Sequence, residues 1–240
     1  MISIIIPTLN EEKILAKTLS DLKKLTVCDY EIIVTDGKST DNTIAIAKRY
    51  ANKVVENKSG KRQTIGEGRN MGAEVAVGEH LVFMDADVEI PNINSFFLKI
   101  LDDFNKSKKL VAMSVYFKVF KDQATPGDIL FFDTINLVYY VMNNILRIGA
   151  AGGDFQMVRA DAFKKVGGFD IRLAAGEDNE LFSRLGKIGR TRIDSGLYVL
   201  HTSRRAHEIG WMHLLAEWFG NAMYARFLHR SMSKEWKVIR

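Results

Sequence analysis

The stretch Leu81-Val82-Phe83-Met84-Asp85-Ala86-Asp87-Val88-Glu89 constrains the chain more than any other. Four apolar residues run straight into two carboxylates one residue apart, the pattern of a strand buried on both faces that ends in charge. At a period of two, Asp85, Asp87 and Glu89 are expected on one side of that strand. Two hard oxygen donors at the carboxyl end of a buried strand suit a divalent cation of the magnesium or manganese type, which shares its shell between protein carboxylates and substrate phosphates. The plain alternative is a strand end closed by a polar turn.

The segments before it set the fold class. Ser3-Ile-Ile-Ile-Pro7 and Glu31-Ile-Ile-Val-Thr35 read as strands, and Lys53-Val-Val-Glu56 as a short third. Ile14, Leu15, Leu19 and Leu22 space as one face of a helix, with Thr8 or Asn10 as its expected cap. A second helix runs from Ile44 to Tyr50, after the turn-rich Asp36-Gly-Lys-Ser-Thr-Asp-Asn-Thr43. β-α-β-α-β over sixty residues is the signature of an α/β fold, a mainly parallel central sheet flanked by helices. Ligands of such sheets sit outside the carboxyl ends of the strands. Those ends carry Thr8 to Glu12, Asp36 to Asp41, and Asp85 to Glu89. Between the third strand and Asp85, Lys61 and Arg62 lie beside glycine, where backbone and cations can approach a phosphate. The segment Gln63 to Ala76 is helical in pattern despite its glycines. Each glycine costs a helix about 1 kcal/mol against alanine, so several together imply close packing or close ligand approach.

With 240 residues there is room for one large α/β domain or a domain with an appendage. The single cysteine, Cys28, rules out an internal disulfide framework and fits a reducing, cytoplasmic compartment. No stretch supplies about eighteen uncharged apolar residues, the length of a bilayer-spanning helix. The net charge is +5, and beyond Leu200 seven cations face three carboxylates. A basic end favours phosphates, anionic lipid or nucleic acid, or is simply a solvated helix. The ordered acidic strand ends argue against nucleic acid as the partner.

Taken together, Pro7-Thr-Leu-Asn-Glu-Glu12, Val34-Thr-Asp-Gly-Lys-Ser-Thr-Asp-Asn-Thr43, Gly68-Arg-Asn-x-Gly72 and Phe83-Met-Asp-Ala-Asp87 resemble, in order and spacing, the nucleotide-sugar domain of inverting family 2 glycosyltransferases of the GT-A fold. Gly152-Gly-Asp-Phe-Gln-Met-Val-Arg159, Phe163-x-x-x-Gly-Gly-Phe-Asp170 and Gly176-Glu-Asp-Asn-Glu-Leu181 are similar to that family's acceptor half. The resemblance implies a GT-A domain over residues 1–205, with a donor half to about 120, an acceptor half from about 121, and a helical C-terminal extension over 206–240. It implies that Pro7, Thr8, Asn10 and Glu12 line the base and ribose pocket, that Asp36 accepts hydrogen bonds from the base, and that Asp41 caps its helix. Arg69, and with it Lys61 and Arg62, would reach the nucleotide. Asp85, Ala86 and Asp87 form the D-x-D turn, Asp87 on the metal (Mn2+ or Mg2+) and Asp85 on the ribose or the metal shell. Thr35 stands where most members have a second acidic or small residue, which leaves the base open, with UDP favoured.

Sugar transfer needs stabilisation of the departing diphosphate, an acceptor held in line, and a base for its hydroxyl. By the same resemblance Asp178 is the base, with Glu177 orienting it or binding acceptor, and Gly153 and Asp154 near acceptor or sugar hydroxyls. His201 is a metal ligand or a structural histidine. Arg204 and Arg205 are a diphosphate or acceptor-phosphate clamp or a surface loop. The expected acceptor is a hydroxyl of a glycan, protein or lipid-linked sugar. One alternative is a polyprenyl phosphate, whose oxygen needs no base; another is sugar nucleotidyl transfer. In Ile129–Ile148, Asp133, Asn136, Asn143, Asn144 and Arg147 are expected on one side and Ile129, Phe132, Ile135, Tyr139, Met142 and Leu146 on the other. That helix and the one from Trp211 onward suit core packing, a homodimer surface or peripheral contact with the cytoplasmic membrane face.

Overall fold

The computed structural model describes residues 1–202, 207–208 and 210–228. Seven strands form one mixed sheet in the order β3-β2-β1-β4-β6-β5-β7. They are β1 (Ile2–Thr8), β2 (Tyr30–Asp36), β3 (Lys53–Glu56), β4 (His80–Met84), β5 (Leu110–Val119), β6 (Phe155–Arg159) and β7 (Arg190–His201). β1, β2, β3 and β4 pair in parallel, and so do β5 and β7; β6 runs antiparallel to both β4 and β5. Only β6 is therefore reversed. One edge of the sheet collects the carboxyl ends of the other six strands and the amino end of β6. The pairing of Met84 with Phe155 sets Asp85 beside Asp154, and the pairing of Val119 with His201 ends β7 at the same edge. β5 and β6, which the sequence pattern leaves unassigned, are the strands that bring the second half of the chain to the first.

Helices cover both faces. One apolar cluster joins Ile2, Ile4 and Ile6 to α1 (Leu15–Leu22), α4 (Ile93–Lys106) and the start of α5 (Pro126–Tyr140); the other joins Ile5, Ile33, Leu81 and Phe83 to α6 (Ala160–Lys165) and α7 (Glu177–Ile188). α2 (Thr43–Tyr50) follows β2, and α8 (Trp211–Leu228) packs on α5 through Trp211, 4.1 Å from Phe131. Alternation of Ile along β1 feeds both clusters, as a strand buried on two sides requires.

The glycines of α3 (Ile65–Val75) are packing residues. A Cβ on Gly72 would lie 2.4 Å from Ile5 Cγ2, and one on Gly68 3.2 Å from Thr35 Oγ1, so the helix backbone rests directly on β1 and β2. A capping box between Thr64 and Glu67 offsets part of their helical cost.

Three expectations are corrected. α1 begins at Leu15 with no side-chain cap; Thr8 and Asn10 are spent elsewhere. β4 stops at Met84, so the period of two does not carry to Glu89, which ion-pairs with Lys17 while its backbone pairs with Leu200. The segment 126–147 follows the simple reading at Phe132, Ile135 and Tyr139, which pack on the core, and at the exposed Asp133 and Arg147, and departs from it at its asparagines and at Ile129 and Leu146. Asn136 clamps both backbone groups of Phe117, and Asn143 and Asn144 clamp Ala150 and Ile193, so these polar residues point inward. Ile129 and Leu146 point to solvent. A π-helical turn, Val141–Ile145, shifts the phase after Tyr140.

Candidate active site

The loops after β1 and β2 are sewn together. Asp36, buried, takes four donors: the Lys38 and Ser39 amides at 2.9 and 2.7 Å, the Ser39 hydroxyl at 2.5 Å and the Thr8 hydroxyl at 3.3 Å. That fills the lone pairs of a carboxylate, so a base meeting Asp36 would displace a donor or meet the loop Asp36 holds. Asn10, at φ 55°, accepts from the Thr40 amide at 2.7 Å. Glu12 accepts from the Asn42 amide and side chain, both at 3.0 Å. Asp41 accepts from the Thr43 amide and hydroxyl, the start of α2, and from the Glu12 amide. Pro7 is half-buried against Gly68. Lys61 and Arg62 lie exposed in the loop beyond β3.

The other cluster gathers around Arg69, which is 1 % exposed. Its Nη1 donates to Asp178 at 2.5 Å and Glu177 at 3.2 Å; its Nη2 donates to Asp85 at 2.9 Å and the Gly153 carbonyl at 3.0 Å. The guanidinium is thus spent on three carboxylates and lies over the Phe169 ring at 5.3 Å. Gly153 is needed for this approach, since a Cβ there would sit 2.9 Å from both Arg69 and Asp178. Gly176, at φ 82°, turns the chain so that Glu177 and Asp178 open α7. One guanidinium does not neutralise this group. Desolvation, then repulsion from Asp178, pushes Glu177 up to about 8 against the pull of Arg69. Desolvation, with Asp154, Asp87 and Asp178 nearby, also raises Asp85, whose side chain is the more open at 38 % exposed. Asp154 is raised by desolvation against the pull of His201.

Asp87 accepts from the Thr202 hydroxyl at 2.8 Å, and the Ala86 carbonyl from Thr18 at 2.6 Å, which anchors the D-x-D turn to α1 and to the end of β7. His201 is buried, its Nδ1 3.5 Å from Asp154, its Nε2 without a partner, its ring edge-on to Phe132 at 4.5 Å. Nε2 is thus a buried nitrogen with no hydrogen-bond partner among the described residues. Among the described residues no three His, Cys, Asp or Glu side chains enclose an ion by themselves. The excess of carboxylates fits a hard cation that draws the rest of its shell from a ligand's oxygens. Arg204 and Arg205 lie outside the described residues.

Gln156 belongs to the site and is absent from the sequence-based set. Fully buried on β6, it donates to Asp178 Oδ1 at 2.6 Å and to the Gly152 carbonyl at 2.9 Å. Its signal is an amide inside the apolar run Phe155–Val158, a polar group that must find a buried partner. Asp178 Oδ1 therefore carries two donors, and Oδ2 has none among the described residues. Tyr139 of α5 also reaches this cluster through Asn179.

Known proteins resemble this chain in sequence and in fold. A mycobacterial relative, the PGL/p-HBAD biosynthesis glycosyltransferase of Mycobacterium tuberculosis, is 38 % identical over 90 residues, 36 % of this chain and 35 % of that protein. The poly(ribitol-phosphate) beta-glucosyltransferase of Bacillus spizizenii is 38 % identical over 92 residues, 36 % of this chain and 14 % of that protein. The chain thus spans about a third of the first relative's length and less of the second's. Among solved structures, the mannosyltransferase PcManGT from Pyrobaculum calidifontis, in complex with GDP-Man and Mn2+, superposes with a TM-score of 0.75 at 17 % identity, over 95 % of this chain and 63 % of that one. Staphylococcus aureus TarS 1–349 in complex with UDP-GlcNAc gives 0.66 at 22 % identity, over 85 % and 58 %. The profile of Glycosyl transferase family 2 matches residues 3–167, more than half of the chain, which therefore belongs to that family and has its GT-A fold.

Proposed function

We propose that the protein moves a sugar, with inversion, from a nucleoside diphosphate sugar to a hydroxyl of a glycan, protein or lipid-linked acceptor, with Asp178 as the base. The observation that carries this is the state of Asp178. Arg69 and Gln156 fix Oδ1 at 2.5 and 2.6 Å, which leaves Oδ2, beside Gly153, without a donor among the described residues. The orientation of Asp178, in the first turn of α7, is set by partners that do not themselves react. The acceptor oxygen attacks the anomeric carbon as the bond to the diphosphate breaks, and the hydroxyl proton passes to Asp178. A divalent cation, Mn2+ or Mg2+, would sit on Asp87 and Asp85, with His201 as the further donor, and would supply electrostatic stabilisation of the leaving diphosphate. The loops at 8–12 and 36–41 would hold the base and ribose, with UDP favoured. The bound nucleotide sugars of the two solved neighbours, and the Mn2+ of one, support this reading.

A thermal-shift panel of UDP-, GDP- and dTDP-sugars, each with and without Mn2+ or Mg2+, tests it. A ligand at a hundred times its Kd stabilises by about 2.7 kcal/mol. One nucleotide sugar should raise Tm, chiefly with the cation present, and Asp87→Ala should abolish the cation-dependent part. Indifference to every nucleotide sugar under all conditions overturns the proposal.

A further inference from the structure

The segment from Pro126 to Ile145 buries Phe131, Phe132, Asn136 and Asn143 yet leaves a row of aliphatic side chains in solvent. Its asparagines point inward onto the backbones of β5, β7 and the loop at Ala150. Most of its aliphatic side chains point outward: Leu130 is 71 % exposed, Ile145 63 %, Leu137 58 %, Leu146 57 %, with Ile129 and Val138 beside them and Asp133 and Thr134 on the same face. Exposed aliphatics repeated along a helix face mark an interaction surface. The rim has a consistent chemistry. Along one edge Tyr116 of β5 lies within electrostatic reach of Tyr140 and Asp133, and Lys118 stands 4.2 Å over the Tyr198 ring. Tyrosine and lysine at the margin of an aliphatic patch are the side chains that settle at a headgroup layer. α8, which packs on α5 through Trp211 and Trp218, leads into a stretch carrying Arg230, Lys234, Lys237 and Arg240 against Glu235 alone. No helix among the described residues is long and apolar enough to cross a membrane.

We infer that the outward face of α5 and its π-helical turn lies in the surface of an anionic lipid bilayer, the chain's net charge of +5 adding headgroup attraction. The position has a consequence. The inner side of the same helix reaches the site, Phe132 against His201 at 4.5 Å and Asn143 on the loop that leads to Gly153 and Asp154. A bilayer under α5 would therefore lie beside the acceptor side of the crevice, where a lipid-anchored acceptor could be presented without leaving the membrane.

Co-flotation of the full chain with vesicles, without any sugar nucleotide, tests this independently of the proposed activity. Wild type should float with vesicles containing an anionic phospholipid and bind purely zwitterionic vesicles more weakly, the difference shrinking in high salt. The triple variant Leu130→Glu, Leu137→Glu, Ile145→Glu should partition at least about tenfold less, since affinity follows buried apolar area. An unchanged circular-dichroism melt shows that it folds, and Leu130→Ala with Leu137→Ala should fall between. Failure of wild type to float with either vesicle, or flotation of the triple variant as well as wild type, overturns the inference. So does a concentration-dependent dimer in sedimentation velocity that the triple variant abolishes while vesicle binding is absent.

Discussion

The loops after β1 and β2 and the cluster around Arg69 both consist of carboxylates at one edge of one sheet, yet they are held in opposite ways. In the loops Asp36, Asp41 and Glu12 are each matched by donors from their own neighbourhood. Asp41 illustrates this: although desolvation opposes it, the hydroxyl and amide of Thr43 and the amide of Glu12 keep it below the usual carboxylate range. Around Arg69 the acids outnumber the donors, and Glu177, Asp85 and Asp154 are all pushed upward. The first arrangement is a frame complete in itself. The second stores repulsion that a proton or a cation relieves, which is where chemistry that moves protons and negative charge belongs.

The largest test of that contrast falls on Asp178. Asp178→Asn keeps the size and an acceptor for Arg69, yet removes the base, and transfer from the nucleotide sugar that the thermal-shift panel selects should slow by about 10²–10⁴-fold in kcat. A rate near that of wild type removes Asp178 from the chemistry and favours an anionic acceptor oxygen.

Arg69→Met is next, and is read by unfolding. Removing the guanidinium leaves buried carboxylates without their cation, and breaking such a pair from one side costs about 3–5 kcal/mol. The loss should be smaller at pH 5 than at pH 8, because protonation of Glu177 substitutes for the missing charge. A neutral substitution at both pH values would mean that Arg69 is not what holds the cluster together.

Much of this was legible in the residues. The apolar runs of β1, β2 and β4, each ending in polar residues, gave the parallel half of the sheet, because a strand buried on two faces leaves no other pattern. The pairing of the two halves was not legible. Nothing local in Phe155–Arg159 says that it runs backward between β4 and β5, and only that placement sets Asp154 beside Asp85. The family resemblance implies that Arg69 reaches the nucleotide, but the residues alone do not show the three acids that tertiary structure brings to it. Gln156 was hidden in the same way. The direction of α5 went unread because its asparagines pair with backbone rather than water, an exchange that a hydrophobic period does not record.

On the loop side, Asp36→Asn tests whether the frame is self-contained. The amide group would face the Lys38 or Ser39 N–H where a carboxylate oxygen now accepts, at a cost of about 1–3 kcal/mol. The cost should be the same with and without a divalent cation. A variant as stable as wild type that has lost nucleotide affinity would instead make Asp36 a ligand-binding group.

The smallest effect is the one that isolates the cause of the contrast. Glu177 ionises near 4.5 in an unfolded chain and near 8 in the fold, so between those values the folded state holds the extra proton. Stability from this group is fully present below about pH 4.5 and is lost as pH rises through 8. In chelator, wild type should therefore melt at lower temperature as pH rises from 5 to 8, with each 1 kcal/mol lost appearing as roughly 2–4 °C. Glu177→Gln carries a neutral side chain of the same shape at every pH. It should match wild type near pH 5, flatten the profile above it, and be the more stable protein at pH 8. If wild type instead gains stability over this range, the cluster is not strained by its own charge, and the difference between the two edges of the site is one of hydrogen-bond geometry alone.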